Sequence, residues 1–433
     1  MAEQVTFINL RPVWMRLPLI VLAVAALCGA WYGLRWCVGA TMAEWAQDLE
    51  TAESATRLAP ADPQSHLKVA RLRRVSFEPE DLPEALRRYE QAAALAPNDY
   101  LIWTEMGRAL GASGDSEGGV RALRRATELA PHYSLPRWHL GNALLRAGRT
   151  DEAFAELRLA AEADPALLAQ VFNLAWQVYD QDMPRVIEAV GSSALARAQL
   201  TVVLVGRKRL DDALAVWSGL SAEEKQLHPG AGEALIRALY EQGQHRSALR
   251  ALGEQGTQGL AAERIANGGF ESDIGPPGKQ LFQWQVANLP PGASVAIDSR
   301  SAHGGQRSLR LSFNAPSQID FKSVSQLVVA EAATRYRLTF FVRTEELKSA
   351  ASLYTEVLDA TGEGAVLGAS PTVPVGTQEW QPVTVEFTTG PRTQSVLVRL
   401  NRAGCADGVC PIFGKIWYDD FDLQRAAQRN AAR

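Results

Sequence analysis

Few residues of this 433-residue chain suit metal or redox chemistry, since it has only four cysteines and six histidines. The histidines are scattered, and no two of them have the spacing of zinc ligands. The chain also lacks a phosphate-binding glycine loop, a nucleophile elbow and an HExxH helix. Adjacent carboxylates such as Glu345 and Glu346 point to opposite faces of a strand, so they do not form an acid–base pair. We therefore predict that the protein is not an enzyme.

The chain also has little net charge, because 44 lysines and arginines nearly balance 48 aspartates and glutamates. The formal charge of −4 gives no general attraction to nucleic acid, so we expect no nucleic-acid partner. One stretch carries no charge at all, over the 18 residues 17–34. At 1.5 Å per residue this length just crosses a hydrocarbon core of about 30 Å. The sequence predicts a transmembrane anchor over residues 17–36.

The flanks of this stretch indicate its orientation. Arg16 precedes it, and Trp31, Tyr32 and Trp36 lie at its far end, where an interfacial aromatic belt is expected. The positive-inside rule then places residues 1–16 in the cytoplasm and everything after residue 40 outside. We expect a single-pass bacterial inner-membrane protein with its bulk in the periplasm. The alternative is a cleaved signal peptide, since small residues suitable for cleavage occur at 38–43.

A repeat of 34 residues organises the next part of the chain. Glycines and small residues keep the same period: Gly107 and Gly141 lie 34 apart, as do Gly114 and Gly148. A fixed period of this length is typical of stacked helix–turn–helix units. The prolines at this interval are Pro63, Pro97, Pro131 and Pro165.

Residues 134–165 (SLPRWHLGNALLRAGRTDEAFAELRLAAEADP) resemble the tetratricopeptide repeat in their small-residue and proline positions. The resemblance implies an α-solenoid over residues 66–255, with a capping helix at 41–63 and a linker at 256–264. It also implies a concave groove, lined by the first helix of each pair, that binds protein partners. The groove positions it indicates are Arg74, Arg108, Trp138, Asn142 and Arg146.

This groove is expected to carry positive charge. Arg74, Arg108 and Asn142 occupy equivalent positions one period apart. An arginine strip of this kind suits an acidic peptide or a terminal carboxylate. The lysine and asparagine clamp of chaperone-binding members is incomplete here, however, and ordinary solvated arginines are the alternative interpretation.

Residues 265–425 change to strand-like alternation with more glycine, proline, serine and threonine. Short strands bounded by turn residues predict an antiparallel β-sandwich, followed by a tail at 426–433. The fold class is therefore multidomain α + β: a transmembrane helix, an α-solenoid and a β-sandwich. The predicted strands are 308–313, 336–344, 351–358, 383–387, 395–401 and 415–423.

Several landmarks of this domain resemble the galactose-binding-like jelly roll of carbohydrate-binding modules, especially the family 4/9 type. They are NGGFE at 267–271, GQRSLRL at 305–311, YRLTFFVR at 336–343 and IWYDDFDL at 416–423. The resemblance implies glycan binding by flat aromatic faces and polar partners, for which the candidates are Gln283, Trp284, Tyr354 and Glu356. It also implies a structural calcium ion between the first and last strands, with Glu271, Asp419 and Asp420 as ligands. Core packing of the aromatics and hydrated edge carboxylates are the alternatives.

Cys405 and Cys410 bracket a short loop late in the chain. In an oxidising compartment the pair can close a disulfide, although two free thiols fit the sequence equally well. Together these features favour a non-enzymatic scaffold with protein partners in the cell envelope and a polysaccharide ligand, active in envelope or exopolysaccharide assembly. The alternatives are a dedicated glycan-binding protein that uses the repeats as a spacer, and a carbohydrate-active enzyme.

Overall fold

In this computed structural model the described residues are 13–76, 81–257, 259–276, 278–362, 364–402, 404–405 and 409–426. Residues 1–12 of the predicted cytoplasmic segment (1–16) and nearly all of the predicted tail (426–433) lie outside these ranges. The backbone contacts divide the chain into two compact units, Met1–Ala196 and Arg197–Arg433. The predicted fold class is confirmed, because the units contain an apolar N-terminal helix, an array of helix pairs and a β-sandwich.

Helix α1 (Val13–Trp45) contains the apolar stretch. An 18-residue window within its portion Arg16–Trp45 has a mean hydropathy of 2.1, and this portion is long enough to cross a membrane, although a signal sequence would meet the same criteria. The predicted capping helix at 41–63 is wrong in its bounds, because α1 continues to Trp45 and α2 covers only Leu49–Leu58. The break occurs because the Asp48 side chain accepts a hydrogen bond from the amide of Thr51 and so begins a new helix.

The end of α1 packs directly on α2. A Cβ atom added at Gly39 would lie 2.7 Å from the Cβ of Ala59, so the two backbones approach closely. Arg35 donates from Nε to the carbonyl of Leu58 (3.1 Å) and from Nη2 to that of Arg57 (2.6 Å). These bonds satisfy carbonyl groups that a helix leaves free at its C-terminal end. The apolar helix therefore continues into the array without a flexible linker.

Three helix pairs follow the predicted 34-residue period: α3 (Pro63–Arg74) with α4 (Asp81–Leu95), α5 (Tyr100–Ala112) with α6 (Ser116–Leu129), and α7 (Ser134–Arg146) with α8 (Thr150–Ala163). Tyr89, Leu123 and Leu157, one period apart, are all buried. A second recurring contact ties the second and third pairs to the turns that precede them. Trp103 donates to the carbonyl of Pro97, and Arg137 donates to that of Pro131, both at 2.9 Å.

The 34-residue period loosens after Pro165. A short 3₁₀ turn (Pro165–Leu167) leads into further helices, which are α9 (Leu168–Val178), α10 (Met183–Val190), α11 (Ala194–Gly206), α12 (Leu210–Ser218), α13 (Ala222–Leu227), α14 (Pro229–Glu241) and α15 (His245–Glu254). Phe172 of α9 is buried and packs on Trp176 at a ring-centroid distance of 5.3 Å. Phe172 therefore belongs to the core of this region.

Residues beyond the helices form two five-stranded antiparallel sheets. Sheet A has the order β1-β4-β9-β6-β7 and sheet B the order β2-β3-β10-β5-β8. The strands are β1 (Gln285–Val286), β2 (Ala293–Asp298), β3 (Ser308–Ala315), β4 (Val324–Val329), β5 (Arg335–Ser349), β6 (Leu353–Asp359), β7 (Val366–Ala369), β8 (Gly376–Thr388), β9 (Ser395–Arg402) and β10 (Ile412–Arg425). Buried aromatic and aliphatic side chains from both sheets form one core between them.

The predicted separation into a solenoid (66–255) and a sandwich does not match the compact units. The helices after Arg197 group with the sandwich, and α15 packs on β4. His245 and Arg246 of α15 make side-chain bonds to the sandwich, so the 256–264 linker does not leave the last helix pair separate. Near the end of β9, the structure pairs Cys405 with Cys410 in a disulfide, as the sequence suggested.

Candidate functional site

The five predicted groove residues lie around a single pocket of the helical array. Its volume is about 470 Å³, and it opens between the first helices of the three regular repeats. Three of its lining residues were not predicted: Gly111, Ala112 and His139. The 34-residue period explains the grouping, because equivalent positions of successive first helices line the same face of a solenoid. Whether this pocket binds a protein stays a prediction.

The charges around this pocket are unbalanced. Glu105 approaches Arg74 at 3.4 Å and Arg108 at 3.7 Å, and it also faces Arg71 at 3.8 Å. Arg146 is exposed and has no ion-pair partner among the described residues. Glu105 therefore faces three guanidinium groups, Arg146 adds a fourth that is unpaired in the described part of the chain, and the pocket is expected to attract anions.

His139 lies within this positive pocket and reports its electrostatics. Burial lowers the pKa of His139 to about 4, and the charges of Arg108, Arg146 and Arg74 act in the same direction, while Glu105 opposes them. The imidazole is therefore neutral at pH 7. Trp138 and the Asn142 amide lie beside it, and that amide donates to the carbonyl of Trp138 at 2.7 Å.

A polar cluster occupies the outer face of sheet A, where Tyr354 and Glu356 lie on β6. Their cross-strand partners on β9 are Asn401 and Arg399. Leu353 and Val357 of the same strand point into the core, so the alternation of a strand turns Tyr354 and Glu356 outward. The structure thus brings two of the predicted glycan candidates together and adds two residues that the sequence did not suggest.

Hydrogen bonds fix the geometry of this cluster. Asn401 Nδ2 donates to the Tyr354 hydroxyl and to Glu356 Oε1, both at 2.9 Å, and Arg399 Nε donates to the same carboxylate at 2.7 Å. The Oδ1 atom of Asn401 is buried and accepts no hydrogen bond from the described residues. A planar ring beside amide, carboxylate and guanidinium groups matches the chemistry of sugar recognition, with an apolar face and fixed polar partners.

The structure corrects the prediction for Trp284, which was a candidate glycan-binding residue and lies in the core. It is only 1% exposed and packs on Phe421 and Phe270, with ring-centroid distances of 4.9 and 5.4 Å. An aromatic side chain of this size contributes most to stability in the core, which is where this one lies. Gln283, the next residue back along the chain, lines a different cavity formed with α14 and α15. Neither residue joins the Tyr354 cluster.

The predicted calcium ligands Glu271, Asp419 and Asp420 converge at one end of the sandwich. A Cβ atom added at Gly269 would lie 3.4 Å from Asp420 Oδ1 and 3.8 Å from Asp419 Oδ1. Burial raises the pKa of Asp419, and the neighbouring Asp420 charge adds to the effect. A buried carboxylate beside a second carboxylate is a position that a hard cation would stabilise.

Backbone amides already bond several of these oxygens. Asp419 Oδ2 accepts from the amides of His303 (2.7 Å) and Gly304 (3.2 Å), and Glu271 Oε1 accepts from those of Gln306 (2.8 Å) and Arg307 (3.1 Å). Among the described residues, no group of three or more His, Cys, Asp or Glu side chains has an arrangement suited to a metal ion. The carboxylates thus tie a loop to the first and last segments of the sandwich, and calcium binding stays a prediction.

No protein-family model matches the chain, and no curated protein matches it. Among solved structures it is similar to one described as "CBM4 structure and function", with 15% identity, 37% of this chain and 99% of the other covered, and a TM-score of 0.28. A second is YrrB, described as a TPR protein with an unusual peptide-binding site (16% identity, 48% and 91% covered, TM-score 0.26). A third is the CBM22-1 xylan-binding domain of Paenibacillus barcinonensis Xyn10C (17% identity, 39% and 98% covered, TM-score 0.27).

These likenesses concern the fold alone. The 34-residue helix pairs and the two five-stranded sheets show that fold directly. The predicted resemblance to the tetratricopeptide-repeat fold and to the carbohydrate-binding-module fold is confirmed. The ligands named for the other proteins belong to those proteins.

Sequence reasoning missed His139, Arg399 and Asn401. His139 directly follows Trp138 and is equivalent to Arg71 and Glu105 in the repeat, so the period was sufficient to find it. Arg399 and Asn401 were not detectable in this way, because they depend on the β6–β9 register. Antiparallel register is set by contacts far apart in the sequence.

Proposed function

We propose that the protein is a non-enzymatic, membrane-anchored scaffold whose helical array binds an acidic segment of a protein partner. The observation that carries this proposal is the pocket with three lining arginines, Arg74, Arg108 and Arg146, beside Trp138. Arginine binds carboxylates in bidentate fashion, and an adjacent indole supplies an apolar surface, so the two together suit an acidic peptide.

The cellular setting forms part of the proposal. The long apolar helix α1 supports an anchor in a bacterial inner membrane, and the Cys405–Cys410 disulfide supports an oxidising compartment such as the periplasm. A repeat scaffold that also holds a glycan would suit cell-envelope or exopolysaccharide assembly.

The experiment is photo-crosslinking in cells that carry the full chain, with a crosslinker in place of Trp138. We expect a discrete adduct with a protein whose crosslinked segment is acidic. Arg108→Glu combined with Arg146→Glu should abolish the adduct, because it reverses the charge of the pocket. Arg121→Glu is the control, since Arg121 is exposed on α6 and does not line the pocket. An adduct that survives the double reversal would rule out this ligand class.

A second function, glycan binding by the sandwich, is supported by the Tyr354 cluster of sheet A. Tyr354 is the partly exposed member of the cluster on β6, and its ring supplies a surface for a sugar. The full chain in detergent should bind neutral oligosaccharides on a glycan array, and Tyr354→Ala should remove this binding. Tyr133→Ala, at an exposed position of the array, is the matched control. If Tyr354→Ala binds as the wild type does, this face is not the glycan site.

We also propose that Glu271, Asp419 and Asp420 hold a structural calcium ion. The convergence of the Asp419 and Asp420 oxygens beside Gly269 supports it, as does the raised pKa of Asp419. The ion would reduce carboxylate repulsion and stabilise the sandwich, with no part in binding sugar.

A further inference from the structure

A cavity of about 490 Å³ lies where the apolar helix meets the helical array, between the end of α1 and α3. Four of its lining residues are charged: Glu44 on α1, Asp62 at the start of α3, and Lys68 and Arg71 on α3. The cavity therefore brings two positive and two negative side chains together in a small volume.

Two of these charges are available to a ligand. Among the described residues, neither the Lys68 ammonium nor the Glu44 carboxylate has an ion-pair or hydrogen-bond partner. The ion pair of Arg71 is long, with 3.8 Å between its Nε and Glu105 Oε1. Asp62, by contrast, is engaged as the N-cap of α3. Lys68, Glu44 and, in part, Arg71 can therefore contact a bound molecule.

The height of the cavity above the bilayer follows from α1. Trp31, Tyr32 and Trp36 are exposed near the end of the proposed span, as in an interfacial aromatic belt. At about 1.5 Å per residue, Ala40 and Glu44 lie about 6 and about 12 Å beyond Trp36. A bilayer of about 40–45 Å with a hydrocarbon core of about 30 Å leaves a headgroup layer of about 5–8 Å on each side. The α1 wall of the cavity therefore extends from the headgroup layer to its boundary with water.

Packing holds the cavity at this height. Helix α1 packs on both α2 and α3, and Ala43 in its last turns is only 2% exposed. Arg35 bonds to the last carbonyl groups of α2. Because both walls belong to one packed group of helices, the cavity keeps its shape and its distance from the lipid headgroups.

We propose that this cavity binds the headgroup of a phosphatidylethanolamine molecule in the adjacent leaflet. That headgroup carries a phosphate, which suits the Lys68 ammonium and the Arg71 guanidinium, and a primary ammonium, which suits the Glu44 carboxylate. A phosphatidylglycerol headgroup has no ammonium, and the ammonium of phosphatidylcholine has no N–H to donate. Each of these two lipids would leave the Glu44 carboxylate without a partner.

The inference rests on the proposed membrane anchor and adds a specific lipid to it. It is independent of the peptide pocket beside Trp138, since neither Lys68 nor Glu44 lines that pocket. A lipid bound in this way would hold the first regular helix pair against the membrane surface.

The test is native mass spectrometry of the full chain in detergent. The probes are the dioleoyl forms of phosphatidylethanolamine, phosphatidylglycerol and phosphatidylcholine, added at equal concentration. We expect phosphatidylethanolamine to be retained about three- to tenfold better than either other lipid, as expected for one added charge-assisted hydrogen bond that is partly exposed to water. Inorganic phosphate at the same molar concentration should not displace it.

Two variants separate the two charges. Glu44→Gln should lower the retention of phosphatidylethanolamine to that of phosphatidylglycerol, because it removes the partner of the ammonium. Lys68→Gln should lower the retention of both lipids by about three- to tenfold, because it removes a contact to the phosphate. Glu90→Gln and Lys208→Gln, at exposed positions outside the cavity, are the matched controls and should behave as the wild type does.

The inference would be overturned by equal retention of the three lipids, by displacement with equimolar phosphate, or by wild-type preference in both Glu44→Gln and Lys68→Gln. The same spectra test the anchor, because they give the mass of the purified chain. A mass that lacks the first 40 or so residues would show a cleaved signal peptide, and the anchor and the lipid site would both be wrong. A full-length mass without lipid preference would leave the anchor intact and rule out the headgroup site alone.

Discussion

His245, at the start of the last helix of the array, hydrogen-bonds to Ser395 of β9, with Nδ1 and Oγ 2.7 Å apart. Both side chains are buried. Tyr240 packs edge-on against the His245 ring at 5.2 Å and against Phe282 at 5.1 Å. Arg246, the next residue, donates to Glu331 at 2.7 Å. The last helix pair and the sandwich therefore share a packed and bonded junction.

His245→Ala is expected to lower the free energy of unfolding of this unit by about 1–3 kcal/mol, because it leaves the Ser395 hydroxyl buried and unbonded. The measurement is urea unfolding of the full chain in detergent, followed by circular dichroism. Arg246→Ala is the control: its ion pair with Glu331 is exposed, and such pairs contribute about 0–1 kcal/mol. Equal effects of the two variants would show that the buried bond contributes nothing beyond surface contacts.

Stability should also depend on pH through His245. Burial lowers its pKa in the folded state, so between that pKa and the unfolded value of about 6.5 the unfolded chain binds more protons. The stability contributed by the neutral, buried His245 is complete above about pH 6.5 and is lost as the pH falls below that value. Melting temperatures from pH 8 to pH 5 should fall more steeply for the wild type than for His245→Gln, which does not titrate. Parallel curves for the two proteins would contradict this assignment.

Gly107 is required where α5 and α6 cross. A Cβ atom there would lie 2.6 Å from Leu123 Cγ and 3.0 Å from the carbonyl oxygen of Gly119. Gly107→Ala should therefore destabilise the array by about 1–3 kcal/mol through overpacking. Gly111→Ala in the same helix is the matched control, because its nearest neighbour is Arg146 Nη2 at 3.8 Å. We expect that variant to be neutral or more stable by up to about 1 kcal/mol. Thermal unfolding that ranks the two variants in the opposite order would contradict the packing argument.

The helical part of the fold was predictable because its constraints are local and periodic. Gly107 and Gly141 meet Leu123 and Leu157 in the same way one period apart, so the pattern is visible in the sequence itself. Proline positions then marked the helix boundaries. The α1–α2 break was missed because a single capping aspartate, Asp48, decides it.

The sandwich was less predictable, and for a different reason. Six strands were predicted, whereas β1, β2, β4 and β7 were missed, because short strands carry weak patterns and depend on their partners. Trp284 was a glycan candidate with core packing as the alternative, and it lies in the core, since sequence alone does not tell a buried ring from an exposed one. The Arg399 and Asn401 partners required the strand register.

Calcium should raise the melting temperature of the sandwich if the proposed site is occupied. An ion at 100 times its dissociation constant would stabilise the folded state by about 2.7 kcal/mol. The measurement is thermal unfolding of the full chain in EDTA and in millimolar calcium. Asp420→Asn should remove the difference, and Asp422→Asn, on the same strand but outside the proposed site, should retain it. Identical melting curves with and without calcium would contradict the proposed site and leave the hydrogen bonds to Asp419, Asp420 and Glu271 to hold this loop.

The pKa of His139 should report occupancy of the groove. Burial is the main cause of its low value, and Arg108 is the next. Arg108→Ala should therefore raise the pKa of His139 above about 4, as read from the pH dependence of its ring signals in NMR. Arg124→Ala is the control, because Arg124 pairs with Glu152 on the second helices of its repeats at 2.8 Å.

An acidic peptide that binds the pocket should shift the same signal upward, because a nearby negative charge favours the protonated imidazole. The direction of the pKa shift distinguishes an acidic peptide from a neutral ligand that only covers the pocket. A neutral ligand would bury His139 further and so lower its pKa. The upward shift should disappear in Arg108→Ala combined with Arg146→Ala, since the peptide then loses its two exposed cationic contacts. A downward shift on binding of the acidic peptide would mean that its carboxylates do not enter the pocket beside Trp138.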